Sequence, residues 1–291
     1  MKIKFELEIR MNKEELIEKA SEFIETSENN YIKKENAISE ETVGMKIFEA
    51  PIFAFGDAED EYFERLKHSD AIGSHFRLPK EWLSQGKTVV SYFLPFTETV
   101  RKGNSQKDTW PSQEWLHGRY EGQMLLDKLS KYLERELIND GYSSIAPSLD
   151  DKFWSKKNHY ETLTNVDNHE KNPVSFTSNW SERHVALVCG LGTFGLSKGL
   201  ITSKGMAGRF GSIVTELQLA PTDREYEDIY EYCSKCGDCI SQCPVNAISF
   251  ENGKDHQICS EFLDIIKKKY IPRYGCGKCQ VSVSCESCIP G

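Results

Sequence analysis

No stretch of this 291-residue chain approaches the roughly 18 consecutive apolar residues that a membrane-spanning helix requires. Nor does a charged-then-apolar leader open it. Residues 2–20 read KIKFELEIRMNKEELIEKA, which is no secretory signal, so the disulfides of a small secreted domain are not expected. Positive charge is in deficit. Lysine and arginine number 36 against 45 aspartates and glutamates, a formal charge of −9, which disfavours extended binding along a phosphate backbone. Low-complexity tracts are missing, as are internal repeats beyond the cysteine sets. Cysteine itself is absent from the first 188 residues.

All ten cysteines therefore fall late. Cys189 stands alone in the apolar run HVALVCGLG and reads as a buried, inert thiol. Cys233, Cys236, Cys239 and Cys243 spell CSKCGDCISQCP, the four-ligand run that ends in proline. A thiolate every third residue wraps the backbone around one [4Fe-4S] cubane, while the fourth cysteine points away toward a neighbouring cluster. Structural zinc wants two well-separated pairs and does not account for four cysteines this close together before Pro244.

A second set follows: Cys259, then Cys276, Cys279, Cys285 and Cys288 in GCGKCQVSVSCESCIPG. Two cubanes need eight thiolates, and the tail supplies nine. With the crossing pattern of two-cluster ferredoxins, Cys233, Cys236, Cys239 and one late cysteine take cluster one. Cys243, Cys259, Cys276 and Cys279 take cluster two. A second CxxCxxxCP run would place a cysteine where Val283 stands. Cys285 is the preferred eighth ligand because its loop back to Cys279 is shorter, with Cys288 as the alternative. So many reduced thiols and no leader place the chain in a reducing cytoplasm, in a niche low in oxygen.

Upstream the texture is mixed. Residues 13–26 set Leu16, Ala20 and Phe23 or Ile24 on one helical face, and 113–139 form a long amphipathic pattern that Gly141 stops. TVVSYFLPF (88–96) reads as a buried strand and SSIAP (143–147) as a short one. Residues 148–181 are polar and irregular, the profile of a lid or binding loop. APTDREYEDIYEYC carries turn residues and a charge run, which puts a domain boundary near Ala220–Pro221. The basic run KKKYIPRYG (267–275) reads either as a docking patch for an acidic redox partner or as a solvated helix end.

Gly190, Gly192 and Gly195 match GxGxxG, but a dinucleotide fingerprint opens a helix after a strand. Here glycines continue at 199, 205, 208 and 211, and no useful helix can follow. The segment implies either backbone passing close to something flat or bulky, or a glycine-rich turn system without a ligand.

The run NWSERHVALVCGLGTFGLSKGLIT, then GRFGSIVTELQL, then the CxxCxxCxxxCP set, resembles the core of the epoxyqueuosine reductases and, more distantly, the reductive dehalogenases. The likeness covers residues 180–290, and residues 85–147 in their strand-helix-strand layout. It implies an α+β chain: a nitroreductase-like α/β domain holding a base-off corrinoid (1–220), then a bacterial ferredoxin-like domain with two [4Fe-4S] clusters (221–291). By the same likeness Glu182, Arg183, Gly190, Gly192, Gly195 and Arg209 line or brace the cobalamin pocket. Electrons from a ferredoxin or flavodoxin would pass through the clusters to the corrinoid, which reduces a small molecule or a modified nucleoside. The chain departs from the family in three places. Phe176, Thr177, Ser178 and Asn179 stand where an acidic proton donor is usual, no helical repeats follow the clusters, and CQVSVSCESC lacks a second CxxxCP. These features point to a paralogous branch. His159, Tyr160, His169 and His184 are the candidate proton donors. A second function class stays open: a two-cluster electron-transfer protein that docks a partner and has no substrate of its own.

Overall fold

The computed structural model describes residues 11–157 and 176–291. Helix α1 (Lys13–Thr26) begins where Asn12 Oδ1 accepts the Glu15 N–H, and it buries Leu16, Ala20 and Ile24. Strand β1 (Ile52–Asp57), the short helices α2 (Glu61–Arg65) and α3 (Pro79–Trp82), strand β2 (Thr88–Pro95) and helix α4 (Glu98–Asn104) follow. Next come the long helix α5 (Gln113–Asn139) and the two-residue strand β3 (Ser144–Ile145). Strands β4 (Ser155–Lys157) and β5 (Phe176–Ser178) pair antiparallel, and helix α6 (Glu182–Cys189) leads into the hairpin β6 (Gly192–Phe194) and β7 (Leu200–Thr202). Strand β8 (Gly208–Thr215) completes the main sheet.

That sheet has the order β1-β2-β8-β3, every neighbour antiparallel. β2 is buried at every position, because helices cover both faces; such a strand reads as a continuous apolar run, which is how 88–96 reads. Val90, Tyr92 and Leu94 join Phe55 and Ile213 under α1 and α5, where Leu125, Leu129, Leu133 and Leu137 are fully buried. Val89 and Phe93 turn the other way, with Ala54, Phe210 and Val214, against α6 and Trp180. Each such leucine or phenylalanine contributes about 1.5–3 kcal/mol relative to exposure. The observed fold is thus mixed helix and sheet, as expected, with a sheet that is antiparallel throughout.

The tail adds the short helix α7 (Asp238–Ser241), the hairpin β9 (Ile248–Ser249) and β10 (Gly253–Lys254), and helix α8 (His256–Tyr270). It is clasped by the preceding residues. Lys278, buried, donates to the carbonyl oxygens of Asn104 and Gln106 at 3.0 and 2.9 Å, and Asn104 Nδ2 donates to the Cys276 carbonyl at 3.0 Å. Arg101 pairs with Glu286 at 2.9 Å, and Arg273 pairs with Glu121. The Trp115 ring lies so close to Gly277 that a Cβ there would come within 1.9 Å of it.

Candidate functional site

The cysteines gather in two groups. Cys239 and Cys285 each lie within electrostatic reach of Cys233 and Cys236, while Cys276 lies within reach of Cys279, Cys259 and Cys243. Cys233, Cys236, Cys239 and Cys285 line one cavity together with Gly195 and Met206. Cys288 stays outside it, exposed, with its thiol 3.8 Å from the Ser284 carbonyl. Cys239 also reaches Cys279, so the two groups adjoin. Burial pushes the thiols of Cys239, Cys276 and Cys285 up to about 12. Thiolates form there at neutral pH only if a metal takes the proton's place. Among the described residues no three or more His, Cys, Asp or Glu side chains converge on a point that would hold a single metal ion. Cys189 is buried apart from both groups, its Sγ 3.6 Å from the Val89 carbonyl, and burial raises its pKa.

Beside the second group lies a cationic recess. Arg183, on the first turn of α6, is exposed to solvent, yet the surrounding protein and the neighbouring Arg119 depress its pKa. An accessible side chain so hemmed in stands in a concavity, within reach of Cys279 and Cys259. Lys254 Nζ is 3.7 Å from Cys279 Sγ. Burial alone would lower its pKa, but the thiols of Cys279, Cys259 and Cys276 outweigh burial and Arg183, and the net shift is upward. Glu182 precedes Arg183 with both carboxyl oxygens buried and without a hydrogen bond. Burial pushes its pKa up to about 7, with Ser212, Ser148 and Trp180 near enough to moderate the rise. His184 is lowered to about 4, first by burial and then by Arg183 and Lys198, so it is neutral at pH 7. Its Nδ1 lies 2.8 Å from Ser181 Oγ and its ring packs on Phe194 at 4.9 Å.

The three glycines of the GxGxxG run differ in what surrounds them. Gly190 ends α6 in the left-handed conformation at φ 96°, so its role is that of a helix cap. A Cβ on Gly192 would sit 1.9 Å from the Ile201 carbonyl oxygen, so the close approach that needs a glycine here is that of β7. Gly195 borders the first thiol group's cavity. The GxGxxG run follows a helix and enters a hairpin, the reverse of a dinucleotide fingerprint. Arg209 pairs in register with Leu94, which places it on the α5 face of β8, opposite Ser212 and α6. Arg183 is therefore brought to the second thiol group, Glu182 lies beside Ser212, Ser148 and Trp180, and Arg209, whose buried Nε lacks a hydrogen-bond partner, is placed on the sheet's α5 face.

His159, Tyr160 and His169 lie outside the described residues. In the segment 176–179, Thr177 Oγ1 meets His75 Nε2 at 2.6 Å, and Asn179 is buried, accepting from Trp154 N and donating to the Lys152 carbonyl. His75, Arg119 and Lys254 escaped sequence reasoning because no local motif marks them; each reaches its place through tertiary packing. The basic run ends α8, where Lys269 Nζ lies 3.7 Å over the Trp110 ring and Arg273 is taken up by Glu121. Among the described residues no helix is long and apolar enough to cross a membrane.

Residues 226–249 match the 4Fe-4S binding domain family. The chain is 35% identical over 113 residues to an epoxyqueuosine reductase of Aliivibrio fischeri, a match that takes in 34% of this chain and 29% of that protein. It is 50% identical over 32 residues to pyruvate synthase subunit PorD of Methanothermobacter marburgensis, 11% of this chain and 40% of that one. Among solved structures, the epoxyqueuosine reductase of Streptococcus thermophilus superposes with a TM-score of 0.48 at 16% identity, covering 95% of this chain and 66% of that one. A catabolic reductive dehalogenase superposes at 0.44 and 17% identity, covering 73% of this chain and 27% of that one. The chain thus spans only part of the length of these relatives. The tail carries a 4Fe-4S binding domain, and the resemblance to epoxyqueuosine reductases read from the residues holds at 35% identity where the two sequences align.

Proposed function

We propose that the chain is a cobalamin-dependent iron-sulfur reductase, electrons passing through two [4Fe-4S] clusters to a base-off corrinoid. The observation that carries this reading is the adjacency of Arg183, which follows the buried carboxyl of Glu182 in sequence, to Cys259 and Cys279. The donor set fits two cubanes: Cys233, Cys236, Cys239 and Cys285 for one, Cys243, Cys259, Cys276 and Cys279 for the other. Cys243 leaves its own run to join the second group, the crossing pattern of two-cluster ferredoxins. The division of labour is an N-terminal cofactor-binding unit, 1–220, and a cluster-binding unit, 221–291.

The buried, unpartnered carboxyl of Glu182 fits a ligand rich in amide groups, since a buried polar atom left without a hydrogen bond costs about 1–3 kcal/mol. Glu182 and Arg183 would hold the corrinoid's polar periphery, with Arg209 contributing only if the ligand reaches the sheet's other face. Bound there, the corrinoid supplies the low-potential reducing chemistry. Glu182, with a pKa near 7, holds or releases a proton in the neutral range. His184 stays neutral and orients through Ser181. Arg183 and Arg119 keep the recess cationic, which suits an electron-rich substrate, either a small molecule or a modified nucleoside. The electron donor is a ferredoxin or flavodoxin, and the setting a reducing cytoplasm. Anaerobically reconstituted protein should retain corrinoid absorption through gel filtration after incubation with cobalamin. Intact clusters with no corrinoid retained would favour the electron-transfer protein that docks a partner and binds no substrate.

A further inference from the structure

We infer that Lys254 sets the electron affinity of the second thiol group: its ammonium, 3.7 Å from Cys279 Sγ, is a fixed positive charge that makes a cluster there the easier of the two to reduce. The inference rests on the two-cluster reading above. Reduction adds one negative charge to a site whose four thiolates already leave it anionic, and net charge and hydrogen bonds to sulfur are levers on such potentials. A cation at contact distance, in surroundings less screened than water, favours the reduced form.

The placement is built into the fold. The β9–β10 hairpin pairs Lys254 with Ile248, and Ile248 packs in a cluster of side chains with Cys239, Cys243, Cys279 and Cys285. The adjacent Asp255 is engaged elsewhere, its carboxylate accepting the Gln257 and Ile258 N–H groups that start α8.

The first group has the opposite neighbour. The Asp238 carboxylate takes the Ser284 hydroxyl at 2.7 Å, and that hydroxyl oxygen is 3.7 Å from Cys236 Sγ. Cys236 is exposed, and water there would itself favour reduction of the first group. Water screens Asp238 as well as solvating the sulfur, whereas the half-buried Lys254 acts with little screening, so the direct charge decides the order. The group beside the recess becomes the acceptor of the pair.

The test is a dithionite titration followed by EPR on reconstituted protein carrying its full iron. Lys254→Met should lower one midpoint potential by at least the ~59 mV that a tenfold change in a one-electron equilibrium represents, and leave the other in place. Lys254→Arg should hold both midpoints, and Lys254→Gln, which keeps a donor but no charge, should fall with Met. If the Met variant loses iron, the Gln variant carries the comparison. Unchanged midpoints in a fully loaded Met or Gln variant overturn the inference and leave the two-cluster reading standing. A wild-type protein without iron overturns that reading instead.

Discussion

The carbonyl of Cys285 accepts the Met206 N–H at 3.0 Å, and the next carbonyl, that of Glu286, accepts Ala207 N at 3.2 Å. This two-rung contact hangs the end of the chain from the loop that enters β8. It also carries Cys285 inward to Cys233, Cys236 and Cys239, and leaves Cys288 exposed.

Cys285→Ala should accordingly lose or convert one cluster, with iron falling toward half. Cys288→Ala and Cys189→Ala should keep both, since Cys189 is sealed in the α6 side of the core. Iron and EPR signal per chain measure this directly, and loss of a cluster from the Cys288 variant alone would reverse the assignment.

Glu182 gives the fold a pH signature. Burial raises its pKa from 4.5 to about 7, so between those values the folded chain binds more protons than the unfolded chain. Stability therefore falls as pH rises through that window. The shift corresponds to roughly 3 kcal/mol at the upper end. Glu182→Gln should flatten the dependence, seen as a smaller drop in unfolding midpoint from pH 5 to pH 8 than in the wild type. An equal drop in both proteins would remove Glu182 as its source.

Gly192→Ala should fail as a fold, because its Cβ would meet the Ile201 carbonyl oxygen at 1.9 Å and neither backbone can yield without parting β6 from β7. Gly190→Ala, strained only by its positive φ, should cost on the order of 1 kcal/mol. Thermal melts of the two variants check the ranking. A Gly192 variant that melts like the wild type and merely loses cobalamin would restore the ligand-contact reading of that glycine.

These contrasts mark where the residues speak for themselves. α1, α5 and β2 were legible because a one-sided or fully apolar pattern is a local property; α1 and α5 coincide with the patterns read at 13–26 and 113–139, and β2 ends one residue short of the run read at 88–96. The two thiol groups were legible because ligand spacing is local within a run, and Cys285 because loop length favours the nearer thiol. What crowds Gly192 was not legible: a sequence can require a small residue without naming what approaches it, and here a neighbouring strand does. Lys254, Arg119 and His75 were invisible. The groups they meet lie 25, 64 and 102 positions away, at Cys279, Arg183 and Thr177, and only tertiary packing brings them together.

The most direct measurement is iron and acid-labile sulfide in anaerobically purified protein. Eight thiols in two adjoining groups of four should bring about eight irons and eight sulfides per chain, the content of two [4Fe-4S] clusters. Zinc at one or two equivalents with no sulfide would contradict the two-cluster centre and the reductase built upon it.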